Sequence, residues 1–199
     1  MTRKSVQEER RRQILEALHK CLLKKPFDQT SIKDIAAVAG LNHGMLHYYF
    51  KSKDDILLNY IEHVIERYKS LFEEWIRSES STLENPTDFL HACFDFMVQK
   101  ITLNRDLSRI FIEIWEIAIY NRKVKEKLRK AYSEWIETVN LAILKISNDK
   151  KTASRLSWGL VAFLEGVSLF SVILDTDTME TEALLKDFQK RFLKAMIDR

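Results

Sequence analysis

Five side chains within seven residues, Asn42, His43, Met45, His47 and Tyr48, form the chemistry-bearing group of this chain. An amide, two imidazoles, a phenol and a thioether can donate to polar edges, accept from them or lie against a methyl group. None is a nucleophile beside a base, so this is the chemistry of recognition rather than of bond making. His43 and His47 are four apart, a spacing that can hold a metal, but Gly44 stands where the HExxH zinc motif needs Glu. Glu16 and His19 make a single E-x-x-H, which di-iron bundles need twice together with further glutamates. No G-x-S-x-G, P-loop or dinucleotide fingerprint occurs. The sequence predicts no catalytic residue, no metal and no cofactor, hence no enzyme.

What must position these groups is a pair of short helices within Thr30 to Lys53. Thr30 or Ser31 can cap the first, placing Ile32, Ile35, Ala36 and Ala39 on one apolar face. Gly40 suits a left-handed C-terminal residue, Leu41 plugs the turn, and Asn42 caps a second helix running to about residue 48. Leu46 and Phe50 are its apolar side. Two short helices about a glycine turn form a helix-turn-helix unit, whose second helix enters a major groove by its N-terminal end. Alanine-glycine turns also join helices of ordinary bundles, so a bundle corner stays open here. Residues about 7 to 24, with Ile14, Leu18 and Leu22 on one face, supply a third helix ending near Pro26. Residues 1 to 53 hold eleven Lys and Arg against five acids, +6, so the remainder carries −3 of the formal +3. That asymmetry is the footprint phosphate binding needs, although Arg10 to Arg12 alone could be a solvated helix start.

Ile35, Ala36, Ala39, Gly40, Asn42, Gly44, Tyr49, Phe50, Ser52, Lys53 and Asp54 follow the run I-A-x-x-A-G, an N-cap, then G-x-x-x-x-Y-F-x-S-K and an acid. The run resembles the TetR/AcrR family of bacterial transcriptional regulators, over roughly residues 10 to 65. A weaker likeness of the later helices, through W-E-I-A and a late apolar helix, is to the BetI-type branch. The resemblance implies DNA contacts by Ser31, Asn42, His43, Gly44, Met45, His47, Tyr48 and Lys53. Asn42 can pair with adenine or phosphate, His43 with a guanine acceptor or phosphate, and Met45 with a thymine methyl. Gly44 lets the backbone near the duplex, while His47 or Tyr48, Ser31 and Lys53 would bond phosphate. Asn42, Met45 and His47 replace the family's usual Ser, Thr or Ser, and Tyr, which leaves the target sequence open.

Four Gly and two Pro in 199 residues disfavour an all-β chain, and 46% apolar residues suffice for a sizeable core. An all-α fold is expected. Ser52, with Asp54 and Asp55, starts a long helix bearing Leu57, Ile61, Val64, Tyr68, Leu71 and Trp75, followed by a loop from Ser78 to Pro86. Helices follow at about 87–103, 106–120, 123–147, 151–174 and 180–198. Helix 106–120 is apolar nearly all round and so central to its domain. In 151–174, Leu156, Leu160, Phe163, Val167, Phe170 and Leu174 form a seam beside Gly159, Ala162 and Gly166. Interior glycines cost on the order of 1 kcal/mol each, which suggests close approach of another helix. With Leu185, Phe188, Phe192 and Met196 this predicts a two-fold dimer interface, as the resemblance also implies; burial within one subunit is the alternative. The resemblance further implies a small-molecule pocket, for which Phe94, Met97, Phe111, Trp115 and Phe163 are lining candidates, or else plain core. Glu113, Glu116 and Glu165 could neutralise a cationic ligand, or face water or arginine.

Cys21 and Cys93 read as reduced core residues of a cytosolic protein, and no apolar run of about 20 residues predicts a membrane span. The expected organisation is a DNA-binding domain at 1–52, its helix-turn-helix at about 31–50, and a helical regulatory and dimerisation domain at 53–199. The expected function is that of a cytoplasmic, homodimeric, ligand-responsive repressor on a palindromic operator in double-stranded DNA. The rival is a helical small-molecule carrier or interaction scaffold with a basic N-terminal module.

Overall fold

The structure, a computed structural model, describes residues 3–79, 85–147 and 149–197. These residues form α1 (Arg3–Leu22), α2 (Ile32–Ala39), α3 (His43–Tyr49), α4 (Lys53–Glu79), α5 (Pro86–Met97), α6 (Arg105–Tyr120), α7 (Arg122–Leu144), α8 (Lys150–Ile173) and α9 (Thr178–Ile197). A π-helical turn, Val98–Thr102, follows α5, and no strand occurs among the described residues. The all-α expectation holds. Of the expected loop from Ser78 to Pro86, residues 80–84 lie outside the described residues; Ser78 still belongs to α4, and Asn85 caps α5 through Thr87 N–H at 2.9 Å.

Two compact units divide the chain, and they are drawn elsewhere than at residue 52. The first comprises Met1–Ser70 with Glu113–Lys127, the second Leu71–Ile112 with Leu128–Arg199. In the first, α1 packs on α2 and α3 through Ile14, Ala17, Leu18 and Cys21, all buried at helical spacing. Ile35, Ala36 and Ala39 of α2 and Leu46 of α3 are buried, as are Phe27, Phe50, Ile56, Leu57, Tyr60 and Ile61. The start of α4 thus belongs to this core. Residues 113–127 join it through Glu113, whose carboxylate accepts the Phe27 N–H, and Lys127, 3.1 Å from Glu62.

In the second unit Leu90, Phe94, Met97, Ile143, Leu160, Leu164, Leu185 and Leu193 belong to one core cluster, while Phe72, Cys93 and Phe96 form another beside Trp75 and Trp135. Three expectations need correction there. On α4 the seam was placed on Leu71, which is 38% exposed; Phe72 is buried instead, because its ring meets Phe96 at 5.2 Å and Trp135 at 5.3 Å. On α6 Leu107, Ser108, Ile110, Ile114 and Ala118 line a buried face, while Ile119 and Tyr120 are exposed, so this helix is amphipathic rather than apolar all round.

On α8 the buried stripe is Ala153, Ser157, Leu160, Val161, Leu164, Val167, Ser168 and Ser171. It shares only Leu160 and Val167 with the expected seam; Phe170 and Leu174 are exposed. Serines can line it because each hydroxyl finds a carbonyl: Ser157 that of Ser154 at 2.9 Å, Ser171 that of Ser168 at 2.8 Å, and Ser168 that of Thr102 at 3.4 Å. By length and composition α8 is also apolar enough to cross a membrane, although its serines and Glu165 interrupt the apolar run.

Candidate nucleic-acid interface

The recognition groups sit on α3 because its neighbours end where they do. Ser31 caps α2 in a reciprocal box: its hydroxyl accepts the Asp34 N–H at 3.1 Å and Asp34 accepts the Ser31 N–H at 2.7 Å. Lys25 lies 2.8 Å from the same carboxylate, and it and the Ser31 hydroxyl hold the Asp34 carboxyl well below the usual carboxylate range. Gly40 closes α2 at φ 64°, ψ 31°, a left-handed conformation that glycine adopts without a Cβ penalty. Asn42 then caps α3 by accepting the Gly44 N–H at 2.9 Å on its carbonyl oxygen, and the residue is exposed.

Along the seven residues of α3 only Leu46 is buried. His43, Gly44, Met45, His47 and Tyr48 are exposed, with Met45 at 44% and Tyr48 at 66%. The His43 and His47 rings stand edge to face 5.9 Å apart, as do Tyr48 and Tyr49 at 5.0 Å. Tyr49 is half-buried and Phe50 buried, so both pack beneath the helix. One exposed surface therefore carries an amide, two imidazoles, a thioether and a phenol at the N-terminal end and flank of a short helix. Such a surface can read base edges and hold phosphate. Ser31 is exposed beside it in chain order, although its hydroxyl already bonds Asp34 at 2.6 Å. Lys53 is engaged differently: its ammonium donates to the Phe27 carbonyl at 2.8 Å and lies 4.4 Å from the centre of the Phe27 ring.

Sequence reasoning missed the residues that hold the two short helices from below. Gln13 Nε2 donates to the Ala39 carbonyl at 2.7 Å, and Arg11 donates to the Tyr49 carbonyl and to Asn59 Oδ1 at 2.8 Å. Arg11 had been counted only as charge. The only signal in the sequence was its place three positions before Ile14, on the apolar side of α1. Arg12 differs, pairing with Glu9 at 2.8 Å in solvent.

Among the ligand candidates, Met97 lines a small cavity with Ile101, Thr102, Trp135, Val161, Leu164 and Glu165. Phe94 is buried within 6.3 Å of the Phe188 ring, and Phe163 stacks on Phe188 at 3.7 Å. Phe111 and Trp115 are half-buried in different units. Burial pushes the Glu165 carboxyl up to about 7, opposed only by a hydrogen bond from Tyr132. Glu113 is also raised by burial, and Glu116 is exposed. Of the dimer candidates, Gly159, Ala162 and Phe170 are exposed, Phe163, Gly166, Phe188 and Phe192 half-buried. A Cβ added at Gly159 or Gly166 would meet nothing within 4 Å. Among the described residues no helix backbone comes this close to either glycine, so the expected reason for them is not met within the subunit. The Met196 side chain lies outside the described residues.

Residues 14–60 match the family model of bacterial regulatory proteins, tetR family. HTH-type transcriptional regulator BetI 1 of Chromohalobacter salexigens is 21% identical over 169 residues, 85% of this chain and 82% of that protein. A TetR transcription regulator from Haloarcula marismortui shares the fold at TM-score 0.80 and 22% identity, over 95% of this chain and 98% of its own. A protein from Saccharomonospora viridis, solved in complex with choline, does so at TM-score 0.76 and 22% identity, over 92% and 96%.

Proposed function

We propose that this chain is a transcriptional regulator of the TetR family and not an enzyme, a ligand-responsive repressor binding a partly palindromic operator as a homodimer. Residues 1–52 are the DNA-binding part and 53–199 the regulatory and dimerising part. The observation that carries the DNA half is the exposed face of α3, where polar groups suited to base edges project from a helix anchored by one buried leucine, Leu46. Asn42, His43 and Met45 face bases; Ser31, His47, Tyr48 and Lys53 serve phosphates, Lys53 after leaving the Phe27 carbonyl. Two copies place their α3 helices about one DNA turn apart, roughly 34 to 36 Å.

The second copy docks on α8. Trp158, Phe170, Ile173 and Leu174 are 57–65% exposed beside the open glycines, an apolar face of the kind that marks an interaction site. The protein works in the cytoplasm, where its DNA lies and where Cys21 and Cys93 stay reduced.

The ligand is a compact organic cation held in the second unit. Glu165 lines the cavity, Tyr132 is its hydrogen-bond partner, and no Lys or Arg among the described residues offsets its charge. Trp135 lines the same cavity and offers a π-face. The choline bound by the Saccharomonospora protein is of this class. The ligand releases DNA only through its differential affinity for the two states of the dimer.

Gel-shift titration against fragments upstream of the protein's own gene and its neighbour tests the DNA half. A shift that survives competitor DNA is expected; salt-labile binding indifferent to sequence would sink it. Adding choline or tetramethylammonium to the complex tests the ligand. Release by these and not by neutral 3,3-dimethylbutanol is expected, and equal effects of all three would refute the cationic class while leaving operator binding intact.

A further inference from the structure

We propose that Arg11 and Asn59 are positioning residues that set the base preference of α3 without touching DNA. The inference rests on the operator-binding reading above.

α1 reaches the C-terminal end of both short helices. Gln13 donates to the carbonyl of Ala39, the last residue of α2, and Arg11 to that of Tyr49, the last residue of α3. The last carbonyls of a helix lack intrahelical donors, and a guanidinium there also complements the negative end of the helix dipole. The other arm of Arg11 donates to Asn59 Oδ1 at 2.8 Å, and its plane lies 4.2 Å from the centre of the Phe50 ring. Asn59 in turn donates to the Asp55 carbonyl at 2.7 Å and to Asp55 Oδ1 at 3.1 Å. Asp55 Oδ2 accepts the Lys51 N–H at 2.9 Å. One continuous network thus ties α1, the end of α3, the turn after it and the start of α4.

α3 needs such an anchor. It has about two turns, too few to be stable alone, and Leu46 is the one side chain within it that is fully buried. Base readout tolerates little pivoting, because a hydrogen bond weakens steeply with angle and distance. Arg11 can brace two acceptors on two elements at once because its donors form a rigid planar fork; a lysine ammonium cannot span both. The same engagement removes Arg11 from the phosphate contacts with which the charge pattern grouped it.

The test uses the full chain as Arg11→Lys, Arg11→Gln, Asn59→Ala and the Arg11→Lys/Asn59→Ala pair, with a duplex selected by the wild type from a randomised pool. Three quantities are read: the affinity ratio between selected and scrambled duplex, the slope of log affinity against log salt, and the thermal midpoint. The ratio should fall about tenfold, comparable to spoiling one base-pair contact, with the slope unchanged. Lysine should not rescue it, and the double variant should lose little beyond either single one. A slope reduced by about one with the ratio kept would make Arg11 a phosphate contact and overturn the proposal. So would a lowered midpoint with the ratio kept below melting, or rescue by lysine. If Arg11 variants do not fold, Asn59→Ala decides alone. A wild type without preference overturns both this inference and the operator reading, whereas a discriminating wild type matched by its variants overturns this inference only.

Discussion

Gly44 weakens the helix it stands in, and the fold does not ask for it. Its φ is not positive, and an added Cβ would sit in ordinary contact, 3.5 Å from Asn42 Oδ1. Close approach of a duplex backbone is the remaining use for a missing side chain there. Gly44→Ala should therefore leave thermal stability unchanged or raise it by up to about 1 kcal/mol, while lowering operator affinity in a gel shift. Retained affinity would remove that role from Gly44. Glu165 makes the second argument at this scale. Its folded pKa of about 7 exceeds the ordinary glutamate value of about 4.3, so between the two the folded chain binds more protons than the unfolded one. The stability it contributes is fully present below the unfolded pKa and lost as pH rises through about 7. Glu165→Gln should melt above the wild type at pH 8, by about 3 to 4 kcal/mol at most, and close to it at pH 5. A gap equal at both pH values in thermal melts would show that Glu165 does not titrate in this way.

At the scale of elements, α2 and α3 are short and their ends do most of the positioning. Leu46 anchors α3 in the core, Ser31 and Asn42 start the helices, and Gly40 ends the first in a conformation costly to other residues. Because nothing lies within 4 Å of a Cβ at Gly40, Gly40→Ala should lose only the left-handed backbone term, about 1 kcal/mol, in chemical denaturation. A loss several times larger would mean that the turn itself reorganises. These ends were legible in the sequence because caps and left-handed glycines are local devices that depend on neighbours one to four residues away. Arg11, Gln13 and Asn59 were not, since their partners lie 38, 26 and 48 residues away along the chain.

For the whole molecule, the open face of α8 and the cavity at Glu165 belong to the second unit, and the α3 surface to the first. A repressor needs all three: a reader, a second copy to match a palindrome, and a sensor that biases the dimer between two geometries. Phe170 is 57% exposed on α8, so Phe170→Glu should leave each subunit folded while converting dimer to monomer in analytical ultracentrifugation. Operator affinity should fall with it. A variant that stays dimeric would move the interface off this face. The carrier or scaffold alternative loses ground for a different reason: the relatives that cover most of the chain are transcriptional regulators.

The residue types on α3, the spacing of Ile35, Ala36, Ala39, Gly40 and Asn42, and the excess of charge in residues 1 to 53 were determined by the sequence itself. They rest on helix periodicity and capping, which act over a few residues. What only tertiary structure decided were choices among equally apolar faces and equally charged side chains. Phe72 rather than Leu71 is buried because two aromatic rings from α5 and α7 meet it, and the serine stripe of α8 faces the core because its hydroxyls find carbonyls. Arg11 is a brace while Arg12 is solvated, since one reaches α3 and α4 and the other only Glu9. Those outcomes depend on groups brought together from distant parts of the chain, and no local pattern encodes which partner arrives.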